Sequence, residues 1–205
     1  THCMPLSEKW VITISTQYGC QCDCSFCDVP NVKWRGNASF LDLHGQLQNA
    51  ISVFGGSCKY TERMNIHFAR MGDPIFNQNV FDFAEWLYKE KALWNRDLGV
   101  RVETIHPVLT TSLPSWFPAL RNNVLHWCYI KNQVYNGQAG LQFSINTTNE
   151  DQRRSTFRRG ALTLEQLSEL ADDMPDPISR KYCLNFAFAD DYELDGNKLR
   201  RLFDP

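Results

Sequence analysis

Strand-like and helix-like spacings of apolar residues alternate along this chain. Trp10-Val11-Ile12-Thr13-Ile14-Ser15-Thr16 is a β-branched run that predicts a buried strand. From Leu41 to Phe54 the positions Leu43, Leu47, Ala50, Ile51 and Phe54 share one helical face, and Gly55-Gly56 marks the stop. Met64 to Ala69 predicts a second strand, Phe76 to Lys91 a second helix, Val100 to Leu109 a third strand and Pro114 to Arg121 a short helix. Leu141 to Asn146 is a fourth strand, Thr163 to Asp173 a helix, Lys181 to Ala189 a fifth strand, and a last helix runs from about Asp195 to Pro205. The stretch from Trp127 to Gly140 breaks the alternation and reads as an inserted hairpin or loop, with a turn at Asn136-Gly137. Strand following helix in this way predicts an α/β protein with a parallel sheet.

The strands are two-faced. Side chains alternate sides along a strand, so Ile66 and Phe68 oppose Asn65, His67 and Ala69 in the second. Leu141, Phe143 and Ile145 oppose Gln142, Ser144 and Asn146 in the fourth. In the fifth, Tyr182, Leu184, Phe186 and Phe188 oppose Cys183, Asn185 and Ala187. A doubly wound sheet covered by helices on both sides is apolar on both faces. One apolar and one polar face instead predict a curved sheet, a partial (β/α) barrel whose concave side holds a ligand. His67 and Cys183 fall on that side and are candidates for substrate handling, although a hydrogen-bonded core histidine and a small buried thiol are the commoner outcomes for such residues.

Composition narrows the class. The chain has 205 residues, 43% of them hydrophobic, enough for one sizeable domain over 1–205. A formal charge of −2 argues against whole-surface attraction to nucleic acid. Arg153, Arg154, Arg158 and Arg159 form a local basic cluster, which reads as a solvated face or as a phosphate-binding patch. No apolar run reaches membrane-span length and the first residues have no signal-peptide pattern. Thr1 in place of Met is what an excised or processed segment would show. Eight cysteines are even in number, yet a core of this size needs no disulfide staples, so a reduced, cytoplasmic protein is expected.

Four of those cysteines lie at Cys20, Cys22, Cys24 and Cys27. Cys20, Cys24 and Cys27 have the spacing C-x3-C-x2-C, directly after the first strand. Three thiolates from one short loop can hold three irons of a cubane cluster and leave the fourth open, whereas electron-carrying clusters usually take four cysteines. Structural zinc normally wants a second ligand pair with its own short spacing, and Cys58, Cys128 and Cys183 are isolated. Cys22 lies between the ligands and is read as neutral, the alternative being that it alters the ligand register.

With Phe26 inside it, this motif resembles the signature of the radical S-adenosylmethionine (SAM) superfamily, and other motifs resemble its RlmN/Cfr-type RNA adenine methyltransferase branch. These are Ile14-Ser15-Thr16-Gln17-Tyr18-Gly19-Cys20, Gly36-Asn37, Gly45-Gln46, Met71-Gly72-Asp73-Pro74 with Asn77, and Leu109-Thr110-Thr111-Ser112. Ser144-Ile145-Asn146 with Asn149, Glu150 and Arg153 completes the set. The resemblance implies a [4Fe–4S] cluster on Cys20, Cys24 and Cys27, with SAM chelating the open iron and split reductively to a 5′-deoxyadenosyl radical. It implies that Phe26 lies against the adenine and that Gly72 and Asp73 meet the SAM amino group. Thr110 would contact the methionyl end, and Ser144 and Asn146 the ribose. It implies an electron donor such as flavodoxin or ferredoxin, RNA as partner, and no membrane. Asp73, Thr110 and Asn146 stand where the branch has Glu, Ser and His.

Relative to that branch the sequence lacks the N-terminal RNA-binding domain, the last strand and the C-terminal methyl-carrier cysteine, so a C-terminally truncated radical SAM core is expected. Methylation of an RNA adenine is then one reading. Modification of a peptide or small molecule, and a non-catalytic cluster- or SAM-binding module, are the alternatives.

Overall fold

The computed structural model describes residues 9–53, 60–187 and 191–203. The β-branched run forms β1 (Lys9–Ile14), followed by the short strands β2 (Gln17–Tyr18) and β3 (Gly36–Asn37) and by helix α1 (Phe40–Val53). Then come β4 (Tyr60–Phe68), α2 (Gln78–Lys89), α3 (Lys91–Asp97), β5 (Arg101–Thr111) and α4 (Leu120–Tyr129). The chain continues through β6 (Gly140–Ser144), α5 (Glu150–Thr156), α6 (Leu164–Asp172), β7 (Cys183–Asn185) and α7 (Gly196–Leu202). The main sheet has the order β1-β4-β5-β6-β7, parallel at every pairing. Flanked by helices, it is a partial (β/α) barrel of the radical SAM type.

Register explains the two faces. Trp10, Ile12 and Ile14 stand beside Met64, Ile66 and Phe68, which stand beside Ile105, Pro107 and Leu109. This face joins Leu43, Leu47 and Ile51 of α1 and Val80, Phe83 and Leu87 of α2 in one buried core. Each such side chain taken from water contributes roughly 1.5–3 kcal/mol. The opposite face presents Thr13, His67, Thr110, Gln142 and Ser144, none of them fully buried. The polar face read from alternation is therefore present and is not covered by the core.

Several elements differ from expectation. Residues 114–119 form turns, and the helix expected there begins at Leu120 instead. The stretch expected as a hairpin is α4 continued by one π-helical turn, Ile130–Val134. Its polar sequence hides the helix because Lys131 is fully buried, with Nζ donating to Gly137 O at 2.9 Å and lying over the Tyr182 ring. Asn136 and Gly137, both at positive φ, do form the turn. Phe76–Lys91 is divided into a 3-10 turn (Pro74–Phe76), α2 and the start of α3. Helix α5 carries no apolar stripe, and the Asn149 side chain caps it by accepting from Asp151 N and Gln152 N. At α6 the capping box of Thr163 and Gln166 marks the start that was expected. Gly55-Gly56, Phe188 and Pro205 lie outside the described residues.

Candidate functional site

The cysteine loop is an excursion closed at its base by the antiparallel β2–β3 pair, Gln17 opposite Asn37 and Tyr18 opposite Gly36. Gly19 enters it at φ 86°, where a Cβ would stand 2.6 Å from Trp34 Cα, so only glycine fits. Two of the quoted motifs anchor the same base. Gln46 makes a two-way bond with the Ser15 backbone, Oε1 accepting from Ser15 N and Nε2 donating to Ser15 O, both at 2.9 Å. Asn77 Nδ2 donates to Thr16 O at 2.8 Å and Ala38 O at 2.9 Å.

The far side of the loop is held by the end of α5. Cys24 bridges to Phe157 through the backbone, and Ser25 N donates to Thr156 O at 2.8 Å. Arg159 Nη1 donates to Gln21 O at 2.8 Å, with its guanidinium 4.2 Å over the Trp116 ring. The half-exposed Phe26 ring meets Phe157 edge-on at 6.1 Å.

These anchors set Cys20, Cys24 and Cys27 on the wall of one cavity of about 140 Å³. Phe26, Gly72, Asp73, Thr110 and Ser144 line it too. The cavity lies at the C-terminal ends of β1, β4, β5 and β6, where α/β folds place their sites. Asn146, just past β6, is not on its wall. It is buried at φ 65°, with Oδ1 accepting from Ala187 N and Nδ2 without a partner. His67 and Cys183 lie elsewhere on the open face, both half-buried. Cys183 Sγ donates to Lys181 O at 3.7 Å.

Asp73 is the most constrained group in the cavity. Its Oδ2 accepts from Ser112 N at 2.7 Å, Ser112 Oγ at 2.8 Å and Thr111 Oγ1 at 3.0 Å. Its Oδ1 accepts from Ile75 N at 3.1 Å, capping the 3-10 turn. Burial raises the carboxyl above the usual aspartate range, against these bonds, which favour the carboxylate. Gly72 beside it is at φ 86°, and a Cβ there would stand 2.4 Å from Gln17 Cβ and 2.9 Å from Gln17 N. Gly72→Ala must therefore displace the strand end that carries the cysteine loop. A loss of about 2 kcal/mol or more is expected in urea denaturation, and an unchanged midpoint would refute this close approach.

Sequence reasoning passed over Cys22 and Ser112. Cys22 is buried on the cavity wall, its thiol accepting from Ser112 Oγ at 3.3 Å and donating to Asp73 Oδ2 at 3.8 Å. The available signal was Ser112 in Leu109-Thr110-Thr111-Ser112, whose last hydroxyl follows the strand end. Cys22 N also donates to Cys20 Sγ at 3.4 Å.

The thiols differ electrostatically. A hydrogen bond from Cys22 lowers Cys20 to about 7, and that same pairing, with burial and Asp73, raises Cys22. Burial, then the charges of Cys20, Asp73 and Cys27, push Cys24 up to about 12. Among the described residues, no group of three or more His, Cys, Asp or Glu side chains is arranged to hold a metal ion. A cubane asks for something else: each sulfur takes its own iron, so the ligands border a volume instead of meeting at a point. Four cysteines line the cavity, with no imidazole on it. Cys22 is engaged by Ser112 and Asp73, which leaves Cys20, Cys24 and Cys27 as a donor set that fits. All six described cysteines are free thiols.

The basic cluster is largely committed to the protein. Arg153 is 3% exposed, with Nη1 donating to Ile145 O at 2.6 Å and Nη2 to Leu162 O at 2.7 Å. Arg154 pairs with Asp151 and Arg158 with Asp23, while Arg159 holds the loop. No described helix is long and apolar enough to cross a membrane.

Comparison with known proteins adds a partial likeness. No family model matches the chain. It is 35% identical over 85 residues to a probable dual-specificity RNA methyltransferase RlmN of Chlorobium phaeovibrioides, covering 41% of this chain and 23% of that protein. It is 28% identical over 111 residues to the dual-specificity RNA methyltransferase RlmN of Pseudomonas entomophila, covering 53% and 28%. The corresponding protein of Pseudomonas fluorescens is 27% identical over 111 residues, covering 53% of this chain. The chain spans about a quarter of the length of these relatives. Together with the fold, this is a distant and partial homology to RlmN-type proteins, at the level of the radical SAM superfamily.

Proposed function

We propose that this chain forms the core of a radical SAM enzyme that reductively cleaves SAM, with Cys20, Cys24 and Cys27 holding a [4Fe–4S] cluster. The observation carrying this reading is the common cavity: the three ligand thiols, the Cys22 thiol, and Gly72, Asp73, Thr110 and Ser144 border one space. When bound, such a cluster supplies one electron, from a donor of the flavodoxin or ferredoxin kind, to break a carbon–sulfur bond of SAM.

The chain's own residues do the rest. The β2–β3 pair and the end of α5 hold the loop so that the three sulfurs need little reorganisation to bind. Gly72 lets the strand-end backbone approach without a side chain in the way. Asp73, fixed by four hydrogen bonds, offers a negative charge to the SAM amino group, and a charge so held is already oriented before SAM arrives. Thr110, whose Oγ1 donates to Gln142 Oε1 at 3.0 Å, and Ser144 supply hydroxyls for the methionyl end and ribose. Phe26 offers an exposed ring for the adenine, whereas Asn146 is buried off the cavity wall.

Methylation of an RNA adenine is the specific reading carried by the partial homology. A peptide or small-molecule substrate is favoured by one observation: of the four clustered arginines, Arg153 and Arg159 are spent on backbone carbonyls and Arg154 and Arg158 face Asp151 and Asp23, which offsets the positive charge of the cluster. Anaerobically reconstituted protein with reductant and SAM is expected to release 5′-deoxyadenosine. A loaded cluster that yields none would overturn the enzymatic reading and leave a binding module. Methyl-labelled SAM with RNA separates the substrates, since label appearing in RNA supports methylation and label confined to methionine opposes it.

A further inference from the structure

The open face of the sheet carries an unusual balance of charge. Reading across the register, Lys9 stands beside Arg63, Asn65 beside His106, and Thr13 beside His67, Val108 and Gly140. The two acidic residues of the strands, Glu62 and Glu103, alternate onto the opposite face. The Arg180 side chain reaches this face over Gly140, where a Cβ would come within 3.0 Å of Nη1. Gly140 thus leaves room for the guanidinium and for the Val108 methyls, which a Cβ would approach equally closely. Arg180 Nη1 is buried and has no hydrogen-bond partner among the described residues, although buried donors are nearly always satisfied.

We propose that Arg180 and His67 form an oxyanion site on this face, which takes the phosphate or carboxylate end of a small ligand whose body extends toward the cysteine cavity. A guanidinium with a free buried Nη1 is a donor already shielded from competing water, and the planar fork matches an oxyanion. His67, in the same row of the sheet, makes no hydrogen bond to a described residue and has a ring nitrogen to offer. Burial, then the charges of Arg180 and Lys9, lower its pKa; burial and then Arg63, Arg180 and Lys9 act the same way on His106. Among the described residues, the charges that shift these two imidazoles are all positive, so a bound anion relieves repulsion as well as making new bonds. His106 itself is committed, its Nδ1 donating to Gln138 O at 3.2 Å.

The placement matters for the cavity. Thr110, on the cavity wall, lies two residues beyond Val108 on β5, roughly 6.6 Å along the strand at about 3.3 Å per residue. An anion seated in the Arg180–His67 row therefore directs the remainder of its ligand to the wall formed by Thr110 and Ser144. The site is independent of the cluster reading, because none of its groups belongs to the cysteine loop.

Imidazole resonances of the metal-free protein, followed by NMR during addition of inorganic phosphate or acetate at constant ionic strength set with chloride, test this directly. Saturable shifts of the His67 and His106 signals are expected, and the tighter of the two anions identifies the ligand's end as phosphate or carboxylate. Arg180→Gln is expected to weaken the binding by about tenfold or more. Gly140→Ala, which crowds Nη1 and keeps the charge, weakens it by a smaller factor. Shifts no different from those in chloride alone, or equal affinity in folded Arg180→Gln, would overturn the site. Should Arg180→Gln not fold, the wild-type titration and Gly140→Ala decide the question.

Discussion

Cys24→Ala protein, reconstituted anaerobically with iron and sulfide, is expected to retain no [4Fe–4S] cluster and to give no electron paramagnetic resonance signal after reduction. The unsubstituted protein is expected to give such a signal and to shift it when SAM is added. Cys24 is the sharpest test because its backbone is held from outside the loop, by the bridge to Phe157 and the Ser25–Thr156 bond. Losing the sulfur therefore removes a ligand without releasing the loop. Its thiol, pushed up to about 12, must give up its proton on binding, so loading becomes steeply dependent on pH. Cys22→Ala is the control. Cys22 faces Asp73 and Ser112, and its removal is expected to leave iron stoichiometry unchanged. Stoichiometric zinc without iron, or a cluster that survives in Cys24→Ala and not in Cys22→Ala, would end the assignment of ligands.

Asp73→Ala is expected to destabilise the fold by roughly 3 kcal/mol, since leaving one buried donor without a partner costs about 1–3 kcal/mol. Four nitrogen and oxygen donors lose their acceptor together, besides the weaker Cys22 thiol: Ile75 N, Thr111 Oγ1, Ser112 N and Ser112 Oγ. They belong to the 3-10 turn after β4 and to the end of β5, so the loss opens the cavity wall as well as the turn. Part of the energy is recovered because the buried carboxylate no longer has to be desolvated, which keeps the total below the sum of four bonds. Urea denaturation of the metal-free protein measures it, and a midpoint unchanged from wild type would show that the network contributes nothing. Ser112→Ala removes one of the four bonds and is expected to lose about 1 kcal/mol.

Some of this architecture was legible because it is periodic. The polar face of β4 and β6 follows from strict alternation, which a strand enforces on any sequence. The capping box at Thr163 and the glycine turn at Gly137 are equally local. Helix α4 and its π-helical continuation were misread for the opposite reason. Lys131 and Asn132 are polar letters in buried places, satisfied by the nearby Gly137 carbonyl and by the distant Asp176 carbonyl, and no apolar periodicity announces that they are buried. Arg153 was misread the same way. It looks like one of four surface cations, yet it spans the carbonyls of Ile145 and Leu162.

The sequence by itself determined the sulfur spacing, the alternation of strand and helix, and which strand face is polar, because each is set by neighbours a few residues apart. Only the tertiary structure decided what closes the site. The Arg159 bond to Gln21 joins residues 138 apart, and the Ser112 bond to Cys22 joins residues 90 apart. The same holds for the unpaired guanidinium over Gly140. Such contacts depend on where the strand ends meet in space, which is fixed by packing the whole apolar face at once and is not carried by any local pattern.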